Sequence, residues 1–266
     1  ALHVCLALER YNMNIINTKP IRDVCITRLD RFLNLLHEPT MVSLEAAESD
    51  LELLTASVRA CLHNITKYLE GLVPNNSLQY FALAEADKMF SKLMLPVLLM
   101  IADEESCDNG VPEKLLAFIE TVAFMQELLI YNVEQNLDSV HGKENSLDLL
   151  LYDAILKLSS ILGKKIVAEA MESLLAKNLQ IYESSSELIS SWSESVIDQF
   201  EFYRQEFDEF GFGEQLGTKI SVLLADNIVL ELCLHFDRYA GSISKRGAEA
   251  FARDLDALRK TFTSLG

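Results

Sequence analysis

Residues 218–262 read TKISVLLADNIVLELCLHFDRYAGSISKRGAEAFARDLDALRKTF. From Thr218 to Tyr239 apolar residues return at three- and four-residue intervals: Ile220, Leu223 and Leu224, Ile228, Leu230 and Leu232, Leu234, Phe236. That spacing is helical, and it covers more than one side, so the segment is expected to be buried nearly all round. Gly241 to Ser244 supply the small and polar residues of a turn. From Lys245 onward the apolar residues narrow to one stripe, Phe251, Leu255, Leu258 and Phe262. A single stripe needs a partner, and the preceding helix is adjacent through the short turn.

The same period runs through the rest of the chain, and no alternation of period two is strong enough for a sheet. Leu2–Thr18 reads as a helix, and Pro20 suits the first turn of another that runs to about His37, before Pro39. Ser43 is placed to cap a long helix ending near Val73, with Leu51, Leu54, Val58, Leu62, Ile65 and Leu69 as its apolar stripe. Ser77 opens the next, with Pro96 as a kink, and 103–110 is a polar loop. Pro112 opens a helix to about Val140, and 141–145 forms the loop between a front and a back half. Leu147–Leu162 reads as a central helix, 164–210 as a longer tract interrupted near Ser184–Ser186, and Gly211, Gly213 and Gly217 as a turn.

The resulting fold class is all-α: about eight or nine helices in an elongated stack of antiparallel bundles. Residues 1–140 form an N-terminal bundle, and 146–266 a C-terminal bundle packed on it as a continuous rod. Helices of this length reach roughly 40 Å at about 1.5 Å per residue. Neither a fixed repeat nor a sustained heptad appears, which argues against a solenoid and against one long coiled coil.

With 23 Lys and Arg against 40 Asp and Glu, the formal charge is −17. Such a field disfavours nucleic acid and anionic lipid, and no run of basic residues offsets it. The longest apolar run, Leu93–Ala102, is broken by Pro96, so no transmembrane segment is expected. Cys5, Cys25, Cys61, Cys107 and Cys233 are odd in number and widely spaced, four of them in apolar helical surroundings. They read as buried reduced thiols in a cytosolic chain. Asn64-Ile65-Thr66 matches a glycosylation sequon but falls inside a helix. The opening at Ala1, directly into an amphipathic stretch, reads as a piece of a longer protein or as a processed chain.

Chemistry-bearing patterns are missing their essential partners. His37-Glu38 lacks the second histidine one turn on that a zinc protease needs. No His follows a Glu at three residues, as a di-iron bundle requires; Asp138 and His141 come nearest, at a helix end. Glu231 and His235 share a helix face, which supports a buried hydrogen-bonded pair but supplies too few ligands for a metal. Asp103-Glu104-Glu105 lacks the spaced aspartate of a helical isoprenoid synthase. Gly211 and Gly213 lack the preceding strand and third glycine of a dinucleotide site. No Cys-x-x-Cys, P-loop or Gly-x-Ser-x-Gly occurs. The expectation is a chain with no catalytic, cofactor-binding or metal-binding residues, and no enzyme.

Two surfaces stand out. Residues 183–214 hold nine acidic residues and only Arg204 as a base, a local net of −8. Through them run Leu188, Trp192, Val196, Phe200, Tyr203, Phe207 and Phe210 at helical spacing, with Phe202 and Phe212 off the stripe. One reading packs the aromatics inward and leaves the acids in water. The other makes Trp192, Phe200, Tyr203, Phe207 and Phe210 a protein-binding site, with an acidic rim that steers a basic partner. The second surface is the mildly basic end, Lys245, Arg246, Arg253, Arg259 and Lys260, diluted by Asp254 and Asp256 and read as a solvated face.

The layout of the last segment resembles a known family. A long apolar helix, a Gly/Ser turn, the small residues Gly247 and Ala248, then Asp254, Leu255, Asp256 and Leu258 look like the C-terminal helical bundle of multisubunit vesicle-tethering proteins. That family includes subunits of the conserved oligomeric Golgi, exocyst, GARP and Dsl1 complexes. The specific likeness covers about the last 50 residues; elsewhere it is architectural. The resemblance implies stacked helical bundles without catalytic residues. It also implies a cytoplasmic protein, peripheral on Golgi or transport-vesicle membranes, that binds sister subunits, SNAREs or small GTPases. A helical-bundle adaptor in signalling or cytoskeletal assembly is the alternative, and an enzyme with a dispersed site is a third.

Overall fold

The computed structural model describes residues 76–104, 112–134, 146–176, 190–209, 212–237 and 245–263, with single positions among 23–31 and 63–67. Every regular element among these residues is an α-helix. Six have defined bounds: α1 Asn76–Glu104, α2 Glu113–Glu134, α3 Ser146–Ala176, α4 Ser191–Glu209, α5 Glu214–Asp237 and α6 Lys245–Thr263. No described helix is long and apolar enough to cross a membrane. The expected helix over Leu2–Thr18 lies outside the described residues. Within the next two expected helices, Ile26, Thr27, Asn64 and Lys67 are helical, and Asn64 is exposed.

The chain divides into two compact units, 1–106 with 112–154 and 107–111 with 155–266. The division falls inside α3, between Ala154 and Ile155, whereas the sequence suggests a boundary at 141–145. It also suggests a break near Gly163, yet α3 continues through that glycine for a further thirteen residues to Ala176.

In the first unit α1 packs on α2. Ala86, Phe90, Met94 and Val97 of α1 are buried, as are Leu116, Ile119, Val122 and Met125 of α2. Leu115, Phe118 and Thr121 are buried too, so α2 is enclosed on more than one face. Pro112 sits just ahead of α2, where a missing N–H costs nothing, and its carbonyl accepts from Leu115 and Leu116 at 3.0 Å. Pro96 lies inside α1 and is exposed, so the Lys92 carbonyl it leaves without a helical donor is near solvent. Asp103 and Glu104, expected in a polar loop, are helical, because α1 runs to Glu104.

The start of α3 is held from outside its own sequence. Asp87 of α1, itself buried, accepts from the backbone N–H of Ser146 at 2.8 Å and of Leu147 at 3.1 Å. The Ser91 hydroxyl donates to the Ser146 carbonyl at 3.3 Å, and the Gln126 amide of α2 donates to Asp148. A helix begins with four unsatisfied N–H groups, and the Leu147 N–H has no water to turn to. Asp87→Ala removes the acceptor for both, and the expected loss is about 1–3 kcal/mol of stability. Asp87→Asn keeps one carbonyl acceptor and should lose less. Amide exchange at Leu147 with urea unfolding measures both; equal unfolding midpoints for wild type and Asp87→Ala would refute the cap.

The second unit repeats the device. Asp254 of α6, buried, accepts from the backbone N–H of Ser190 at 2.8 Å, just ahead of α4. The Ser193 hydroxyl donates to the Asp254 carbonyl at 3.5 Å. The Ser190 carbonyl then takes the first helical bonds, from Ser193 at 3.0 Å and Glu194 at 3.1 Å. α4 packs on both α5 and α6.

Gly163 marks where α3 meets α5. A Cβ there would lie 3.1 Å from the Asn227 Cβ and 3.3 Å from backbone atoms of Asn227 and Ile228. The absent side chain lets two backbones approach. Alanine would gain about 1 kcal/mol of helix propensity against a shift of a few tenths of an ångström. Leucine has no room, and Gly163→Leu is expected to lower stability by about 1–3 kcal/mol on urea unfolding. An unchanged midpoint would mean that the two helices part freely. Gly217, expected in a turn, is instead inside α5 and buried, while the Gly213 carbonyl caps the start by accepting from Leu216 at 2.9 Å and Gly217 at 3.0 Å.

Candidate interaction surface

The aromatic stripe of α4 faces inward. Trp192, Phe200 and Phe207 have no exposure, and Tyr203 has almost none. Trp192 meets Phe236 of α5 edge-on at 5.3 Å and stacks on Phe251 of α6 at 6.2 Å, while Phe236 and Phe251 meet edge-on at 4.6 Å. Phe200 packs edge-on against Phe262 of α6 at 4.9 Å. Of the two readings of Trp192, Phe200, Tyr203 and Phe207, this burial favours the one that packs them inward. The rings of Trp192 and Phe200 pack against neighbouring helices of one unit, and Tyr203 and Phe207 are buried with them. Phe210 lies outside the described residues.

The acids of α4 point away from that core. Glu194, Asp198 and Asp208 are exposed, and Glu201 is paired with Arg204 at 3.3 Å. Phe202 is 52% exposed among them, edge-on to the Tyr203 ring at 5.4 Å. Two cations of the basic end are paired within their own helix. Asp256 pairs with Lys260 at 2.9 Å and Arg259 at 2.7 Å. Hydrogen bonds from Lys260 and then Arg259 hold the exposed Asp256 carboxyl below its ordinary value.

An exposed apolar surface lies on α5. Ile220, Leu224, Ile228 and Leu232 are buried, and the helix was expected to be covered nearly all round. It is not. Val222, Val229, Leu230 and Leu234 are between 42% and 55% exposed, with Asp226 and Cys233 exposed beside them. Positions 222, 226, 229, 230, 233 and 234 follow the three–four spacing of one helix face, roughly opposite the buried one. The intervals at 220, 224, 228 and 232 gave the inward face, and a second set of apolar residues on the other side was the available signal. The physical reason for the difference is that α4 and the Gly163 region of α3 cover only part of the helix. Cys233 is free and exposed, which corrects the expectation of a buried thiol there; the other four cysteines lie outside the described residues.

The pieces of the family-like pattern separate by role. Asp254 is the buried cap and Leu258 is buried, whereas Asp256 is a surface ion-pair acceptor. Leu255 is 41% exposed, so it leaves the expected stripe, whose inner positions are Phe251, Asp254, Leu258 and Phe262.

Among the described residues no three of His, Cys, Asp and Glu come together as a metal site. Glu231 and His235 are half-buried, and no hydrogen bond or ion pair joins them, contrary to the expected buried pair. The Ser159 hydroxyl is buried without a hydrogen-bond partner, so no base activates it. His37, Asp138 and His141 lie outside the described residues. No protein-family model, curated protein or solved structure matches the chain.

Proposed function

We propose that the chain is a non-enzymatic protein-interaction domain and that a partner helix docks on the exposed face of α5. The observation that carries this reading is the set Val222, Val229, Leu230 and Leu234, four large aliphatic side chains about half in water on one helix face. Scattered exposed aliphatics are ordinary, but a contiguous patch is a common mark of an interface. Covering what remains exposed of each is worth about 1 kcal/mol, half of the usual 1.5–3 kcal/mol for a whole side chain. The finer reading is the C-terminal part of a vesicle-tethering subunit, an elongated stack of antiparallel bundles acting in the cytoplasm at Golgi or transport-vesicle membranes. Its partners would be sister subunits, with SNAREs or small GTPases as further ones. Support for it comes from the Gly247–Leu258 pattern and the helical architecture.

The test is purification of the full chain from cells as wild type and as the double variant Leu230→Glu, Leu234→Glu, with identification of the accompanying chains. Subunits of one tethering complex should accompany the wild type and be lost from the variant. The variant should stay folded with a modestly lowered unfolding midpoint, about 1–2 kcal/mol at most, because only the buried half of each side chain is lost from the unit. Signalling or cytoskeletal proteins in their place would favour the adaptor. Equal recovery with both chains would remove α5 as the docking face.

A further inference from the structure

No further inference is drawn: the strongest candidate outside the α5 surface, the exposed Leu95 and Leu99 beside Lys88 and Lys92 on α1 of the first unit, is an unpartnered apolar face, and nothing in the structure shows what covers it.

Discussion

Trp192→Ala is expected to lower the stability of the second unit by about 3–5 kcal/mol, the range for deleting a fully buried large aromatic. The indole has no exposure and touches a ring from each of α5 and α6. Aromatic pairs of this kind add about 0.5–1.5 kcal/mol beyond burial, so the loss falls on three helices together. Against a typical domain stability of about 5–15 kcal/mol, this is about a fifth or more of the total. Urea unfolding followed by far-ultraviolet circular dichroism measures it, since the variant has no tryptophan to report. A variant with a wild-type midpoint that nevertheless lost its partners would restore the interface reading of the stripe.

A chain ended after Gly241 is expected to aggregate or to leave the second unit unfolded. Removal of α6 takes away Phe251 from Trp192, Phe262 from Phe200, and the buried Leu258. Each large apolar side chain so uncovered, or lost from its packed site, is worth roughly 1.5–3 kcal/mol. It also leaves the Ser190 N–H without the Asp254 carboxylate, about 1 kcal/mol or more at a helix start. The sum reaches the scale of a whole domain's stability. Sedimentation and a thermal melt decide the matter. A soluble truncated chain with an unchanged melting temperature would show that α6 is dispensable.

Helix positions were legible where the chain carries local punctuation. Pro112 and Gly213 mark the starts of α2 and α5 because both act through the few residues beside them. Gly163 misled because a glycine that admits a neighbouring backbone looks, in sequence, like one that ends a helix. The α4 stripe was legible as a stripe, but spacing alone does not say whether the cover is the same chain or another. What packs on Trp192 is Phe236 and Phe251, which are remote in sequence. The exposed side of α5 was obscured for the same reason: composition counts apolar residues, and only packing says how many neighbours there are to cover them. Leu255 shows the limit at single-residue scale, since its place in the three–four series did not bring it inside.

The two aspartate caps also set an order of assembly during synthesis. Asp87 precedes the helix that it closes, so its carboxylate is already waiting when Ser146 and Leu147 leave the ribosome. Asp254 comes 64 residues after the Ser190 N–H that it closes, so α4 emerges with an open end and with Trp192 and Phe200 uncovered by α6 until that helix appears. Domains fold as units during translation, N-terminal parts first. The first unit can close α3 as it is made, whereas the second exposes its largest rings for as long as the chain from α4 to α6 takes to emerge.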